Sequence, residues 1–389
     1  MAPTRPKSKK RSAKQVEKRA AMIAKRPSDS QAANPRQLLT DATLKLQQGD
    51  PEAAAKIAQA AIENIGADGR YAGACLSLLG QIHVELGEVD QARAYFAQSV
   101  ELDQDGALPD ELGGGPEKFL WLAQLSEEGG LDSVNWFERG AAVLRRQIQS
   151  MTDDLEKLPK TKDLQEASIN EKKRRLADAL CAVAEVYMTD LSWEEDAEQR
   201  CEALITEASL LAPDMPEAWQ TLANVRISQS RIDDAQAALE RSLELWKDLA
   251  PEDPAIPPFP TRVSLVRLLI EVGKEETAYE VAVRMLDEDD TSVEVSYLGG
   301  FALYTLGEKA RKQNINDGES WKSAWVSSRR WLTSCLRLFE AQEYEDDKLG
   351  EHAKELLGSL VSEIGEAPED EEDDWADSDG GDDEDEEMQ

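Results

Sequence analysis

The chain has 389 residues, 79 Asp and Glu against 44 Lys and Arg, and a formal net charge of −35. A polyanion of this size repels phosphates, which argues against nucleic acid or an anionic membrane as a direct partner and favours a basic partner or simply high solubility. No run approaches the roughly 18 apolar residues of a membrane span, and no apolar signal-like core follows the basic start. The charge is unevenly placed. Met1–Arg26 holds ten bases and one acid, Pro27–Gly365 holds 34 bases and 63 acids, and Glu366–Gln389 holds 15 acids and no base. The body is therefore a polyanion in its own right, at −29, and the tail accounts for less than half of the acidity.

In chain order, residues 1–33 read as a basic arm. The stretch "RPKSKKRSAKQVEKR" sets Lys7, Lys9, Lys10 and Arg11 in one cluster and Lys18 and Arg19 in a second. That layout resembles a nuclear-import signal, which would engage an import receptor. The alternative is an arm that lies on the acidic body or only solubilises it. It lacks a continuous apolar stripe, so it is expected to be disordered when free, and its Lys-rich composition does not suit a mitochondrial presequence.

Residues 34–340 repeat. "NPRQLLTDATLKLQQGDPEAAAKIAQAAIEN" is a first helical hairpin. "LSLLGQIHVELGEVDQARAYFAQSVELD" is the clearest, with Leu79, Gly80 and His83 in one helix, Gly87 in the turn, and Ala92, Phe96 and Ser99 in the next. This spacing matches the tetratricopeptide pattern, in which small residues let two antiparallel helices approach and large ones fill the seam. A weak copy follows at Phe119–Arg146. Further copies open at Ala184, Ala223, Val266 and Gly299, the last with its second helix delayed to about Trp321–Leu338. The period drifts, so the repeats are degenerate, with inserted loops at "DQDGALPDELGGGPE" and "APEDPAIPPFPT". The fold class is all-α: a solenoid of about seven degenerate tetratricopeptide-like hairpins, stacked because one pair cannot bury both its faces. Residues 341–365 read as a capping helix, and 366–389 as a disordered acidic tail with too little apolar surface to offset chain entropy.

No catalytic chemistry is legible. The two histidines, His83 and His352, stand alone; the first is expected to pack in a repeat and the second to lie at the surface of the cap helix. No Cys/His group has metal-ligand spacing, and the acids at Asp287–Asp290 lack the spacing of a calcium loop. The glycines of "ELGGGPE" are not followed by the Lys of a phosphate loop, and that segment reads as a flexible turn. Trp321, Trp325 and Trp331 recur at helical spacing, which suits core or groove wall rather than a cofactor box. The four cysteines are far apart and read as reduced packing residues of an intracellular protein. The expectation is no enzyme, no metal and no cofactor.

A solenoid of this type offers the side chains of its first helices to a ligand. Projecting the helical phase places Gln81 and Glu85 on that inner face, then Asp178, Glu185 and Met188, then Glu217, Gln220, Asn224 and Ile227, then Ile270 and Glu271, and finally Tyr304. Acids outnumber bases in this set. Asn224 suits a clamp for an acidic peptide carboxylate, but the accompanying bases are missing, which disfavours a receptor for chaperone tails. An extended Lys/Arg-rich segment fits better.

A basic import-like head, a long acidic solenoid and the tail "DDWADSDGGDDEDEE" together resemble the fungal dedicated assembly chaperones of the large-subunit ribosomal protein uL4 (L-four), the Acl type. The resemblance implies ATP-independent capture of the client's basic internal loop, protection from aggregation, and passage from cytoplasm to nucleus for large-subunit assembly. A general tetratricopeptide scaffold and an acidic histone-type chaperone remain as alternatives, which client identity separates.

Overall fold

Local signals start the helices. Asn34, Asp50 and Asp346 stand just before three of them, and each carboxyl or amide oxygen accepts a first-turn backbone N–H, such as Ala53 N–H at 3.1 Å on Asp50. Pro35, Pro51 and Pro216 occupy first-turn positions, where a missing N–H costs nothing. The computed structural model describes residues 34–66, 69–157, 162–312 and 320–366. The basic arm, its import-like clusters and the tail beyond Glu366 lie outside the described residues.

Among the described residues there are fifteen α-helices, one 3-10 turn and no strand, as a helical-hairpin solenoid requires. Contacts divide the chain into two compact units, Met1–Gln229 and Ser230–Gln389.

The first unit begins with α1 (Pro35–Gln47) and α2 (Pro51–Ile65), then α3 (Ala72–Glu85) and α4 (Val89–Leu102). Both are antiparallel hairpins. Gly80 shows why the second closes so tightly: a Cβ there would stand 2.6 Å from the Phe96 ring. Phe96 is fully buried, which contributes roughly 2–3 kcal/mol. Gly87, at φ +73°, turns the chain between the two helices at a backbone angle that other residues adopt with strain. His83 is buried beside this turn, 2.6 Å from Glu88 and stacked on Tyr95.

Next come α5 (Glu117–Gln124), α6 (Gly130–Lys157), α7 (Lys162–Met188), α8 (Ala197–Leu211) and α9 (Pro216–Ser228). The long helices α6 and α7, 28 and 27 residues, explain the drifting repeat period. Their core runs through Phe137, Leu144, Leu176, Leu180, Ala184 and Tyr187 to Ile205 and Ala208 on α8. α9 packs on both α7 and α8.

The glycine-rich insertion between α4 and α5 is not the flexible turn that its composition suggested. Asp103, 7% exposed, accepts the N–H of Ala107 and of Leu108 at 2.9 and 3.3 Å. Lys118, 1% exposed, donates to Asp103 at 2.8 Å and to the Gly113 carbonyl at 2.9 Å. Arg139 and Arg146 donate to the carbonyls of Gln104, Asp105 and Gly106. A Cβ on Gly73 of α3 would meet the Leu112 carbonyl oxygen at 2.8 Å, so the loop lies directly on that helix. A buried ion pair and close backbone packing fix what glycine content alone leaves open.

The second unit holds α10 (Ile232–Glu244), α11 (Phe259–Glu271), α12 (Glu275–Leu286), α13 (Val293–Lys312), α14 (Ser320–Ala341) and α15 (Asp347–Ile364). Buried Arg262 donates to the Pro257 carbonyl at 2.9 Å and to Glu288, tying the proline-rich insertion to α11. Gly299 lets α13 meet α14 closely, since a Cβ there would overlap the Trp331 ring at 2.1 Å. Trp325 is 3% exposed and its Nε1–H donates to the Tyr304 carbonyl at 3.1 Å. The last helix, α15, packs on α14 through Leu349, Ala353, Leu356 and Leu360. His352 departs from its expected surface place. It is half-buried, with Nδ1 2.6 Å from the Tyr297 hydroxyl and its ring edge-on to Phe301. The aromatic side of α13 draws it in.

All four cysteines are buried and free. Burial pushes the thiols of Cys75, Cys181 and Cys335 up to about 12, so they stay protonated and packed.

Candidate functional site

In each hairpin one helix gives its apolar stripe to its neighbours and keeps an open stripe. In α7 the buried positions Leu176, Ala177, Leu180, Val183, Ala184 and Tyr187 leave Asp178 and Glu185 exposed, seven residues and two turns apart on one side. Met188 follows on the same side and is half-buried. On α9, Glu217 and Ile227 are half-buried and Asn224 is exposed. Gln220 differs from its expected place: at 6% exposure it is inside, beside buried Thr221, because α9 packs that flank against its neighbours. It is not available to a ligand.

The electrostatics of this face are unusual for carboxylates in reach of solvent. Crowding by the surrounding chain, together with the Glu217 charge, raises the Asp178 carboxyl from 3.8 to about 6; nearby Arg175 opposes and Glu171 adds to the effect. Crowding by the surrounding chain also raises the Glu185 carboxyl. Neither accepts a hydrogen bond or ion pair among the described residues, and Glu217 makes no ion pair there.

Several arginines of this unit are bonded to other acids. Arg145 pairs with Glu207 at 2.8 Å, joining α6 to α8; Arg226 pairs with Glu202, and Arg174 with Asp214 at 2.5 Å. Arg93 reaches Glu127 at 2.9 Å and Arg175 bonds Glu117. The exposed pairs among these, such as Arg145–Glu207, stabilise little, about 0–1 kcal/mol each. Their consequence here is positional: their hydrogen bonds go to other acids, while Asp178 and Glu185 accept none from them and Arg175 acts on Asp178 only at longer range.

Between α5, α6 and α7 lies a cleft of about 270 Å³, lined by Glu117, Leu120, Trp121, Gln124, Phe137, Arg175, Asp178, Ala179 and Ala182. Sequence reasoning projected Asp178 onto the face but missed Trp121 and Arg175. Trp121 sits in the weakest repeat copy, where the pattern gives no phase. Gln81 on α3 is half-buried and Glu85 is exposed at that helix's end.

In the second unit, Glu271 is exposed and Ile270 half-buried at the end of α11. Arg267, the one base near them on that stripe, bonds Glu294. Tyr304 is half-buried and stacks on Trp325, ring centroids 5.9 Å apart, so it is partly committed to the α13–α14 seam. Among the described residues no group of His, Cys, Asp and Glu is arranged to hold a metal ion, and no helix is long and apolar enough to cross a membrane.

Comparison with known proteins agrees with the hairpins. A family model described as tetratricopeptide repeat matches residues 74–105. A protein of Emericella nidulans named "Probable assembly chaperone of rpl4" is 46% identical over 377 residues, 95% of this chain and 91% of the relative. A Schizosaccharomyces pombe protein with the same name is 32% identical over 289 residues, 74% of this chain and 80% of the relative. A solved structure titled "Assembly Chaperone of RpL4 (Acl4) (Residues 1-338)" is 66% identical, covers 72% of this chain and all of the other, and superposes with a TM-score of 0.69.

Proposed function

This chain belongs to the family of assembly chaperones of rpl4, and on that premise we propose that it captures a basic, extended segment of a new ribosomal protein rpl4 on its acidic first-helix faces. The family and the repeat fold are those of a binding scaffold, and the chain is not an enzyme. The observation that carries the reading is the pair of carboxylates Asp178 and Glu185, which share one stripe of α7, make no hydrogen bond or ion pair among the described residues and are held above the usual carboxylate range, with Glu217 nearby on α9.

The chemistry follows from what a ribosomal protein is before assembly. Its basic extensions are made for RNA and aggregate or bind RNA indiscriminately when free. A cation placed beside Asp178 and Glu185 gains charge-assisted hydrogen bonds and relieves the cost of holding those two acids ionised. Ribosomal RNA, a denser polyanion, can then take the segment by relative affinity, so no nucleotide hydrolysis is needed. Purified chain and rpl4 should form a complex that weakens steeply as salt rises through the physiological range. A pull-down that recovers no basic ribosomal protein, or a complex indifferent to salt, would argue for a general scaffold.

The same reading gives the basic arm a separate task, nuclear entry with the client. Met1–Arg26 fused to a cytosolic reporter should carry it into the nucleus, and its deletion should leave rpl4 binding intact. A reporter that stays cytosolic removes this part of the proposal. The acidic run of Glu366–Gln389 is read as an aid to encounter, through long-range attraction of a basic partner.

A further inference from the structure

We propose that the cleft between α5, α6 and α7 is an arginine-reading pocket, which takes one arginine side chain of an extended basic segment with its guanidinium between Asp178 and the Trp121 ring and its methylene stem along Leu120 and Ala182. It deepens the chaperone reading and rests on it for the chain that supplies the arginine.

Size is the first argument. At about 270 Å³ the cleft falls below the range of small-molecule pockets, about 300–1,000 Å³, and suits a single side chain rather than a cofactor. Charge is the second. Three ionisable groups line the cleft, and Glu117 and Arg175 bond each other. Asp178 accepts no hydrogen bond, and Arg175, already bonded to Glu117, acts on it only at longer range, so the three groups leave the cleft one net negative charge, which suits one monocation and repels an anion. The raised Asp178 carboxyl is the cost of holding that charge among apolar atoms, and an arriving cation removes it.

The walls decide which cation. Leu120, Phe137, Ala179 and Ala182 are apolar and face the cleft with Trp121. Trp121 is half-buried and steadied by stacking on Phe96, ring centroids 6.0 Å apart. An ammonium holds its water tightly and gains little from such walls. A guanidinium is planar and weakly hydrated, stacks on an indole, and can still offer two N–H groups to a carboxylate. Ala182, small and half-buried, lines the cleft.

The test uses the full chain and two peptides of equal length and charge, one of alternating arginine and glycine, one of alternating lysine and glycine. Binding is measured by calorimetry at physiological salt, and rpl4 capture separately. The wild type should prefer the arginine peptide about fivefold. Asp178→Asn, which removes the charge, and Ala182→Leu, which narrows the cleft, should each bring the ratio close to one while thermal stability is kept. Equal affinities in the wild type, or a preference that survives both substitutions, overturn the pocket. Capture of rpl4 with no arginine preference overturns the pocket and leaves the chaperone reading; an arginine preference without rpl4 capture does the reverse.

Discussion

Lys118→Met is expected to destabilise the first unit by about 3–5 kcal/mol, the largest single-residue effect foreseen here. The side chains are of similar length, so little packing is lost. What remains is Asp103, 7% exposed and still bonded to the N–H groups of Ala107 and Leu108, with its cation gone. The Gly113 carbonyl loses its donor as well. An uncompensated buried charge is the costly case, whereas a pair replaced as a pair is nearly neutral. The double variant Asp103→Asn/Lys118→Met should therefore recover most of the loss, because Asn still accepts from the loop backbone. Urea titration of the three variants measures this, and a single-variant cost below about 1 kcal/mol would mean that the pair is not desolvated. The effect should reach function. Lys118 stands one turn before Trp121 on α5, so a loosened insertion disturbs one wall of the cleft.

Asp178→Lys combined with Glu185→Lys is expected to lower affinity for rpl4 on the order of a hundredfold at physiological salt. Each carboxylate offers a charge-assisted bond, roughly 1.5–3 kcal/mol, and reversal adds repulsion to its loss. Glu271→Lys tests the second unit in the same way. Stability should move in the opposite direction from binding. Crowding and Glu217 favour protonated Asp178 in the folded chain, so its carboxyl titrates near 6 there against 3.8 in a free chain. Ionising it as pH rises through about 6 costs folding stability, on the order of 1 kcal/mol once screening of this solvent-reached group is allowed for. Asp178→Asn should match the wild type near pH 4 and exceed it above pH 6. Affinity for a basic segment should fall as pH drops through about 6, where Asp178 takes up its proton beside Glu217, Glu171, Glu117 and Arg175. Weakened binding with unimpaired stability marks a ligand-binding face; weakened binding with a parallel loss of stability would mean these acids only hold the fold.

Much of this protein was legible in its sequence. Gly80 opposite Phe96, Ala92 and Ser99 behind them, and Gly87 in the turn specify a hairpin by local spacing alone, and the structure has α3 and α4 there. Asp178 and Glu185 fall seven residues apart, so helical phase was enough to put both on one stripe. The same rule failed at Gln220, one step nearer the seam, because phase tells which way a side chain points but not how far a neighbouring helix reaches over it. The insertion after α4 read as flexible because composition registers glycine but not the Lys118–Asp103 pair that pins it, a contact set by how α5 returns on the loop. His352 was displaced from the surface by the aromatic side of a helix some fifty residues earlier. What the sequence determined by itself was periodic and local: helices, their pairing and the sign of the charge. What only the tertiary structure decided was which charges found partners. Arg145 and Arg226 meet acids on neighbouring helices, Arg174 meets Asp214 in the turn before α9, and Asp178 accepts no hydrogen bond, and that depends on distances between elements that no spacing along the chain encodes.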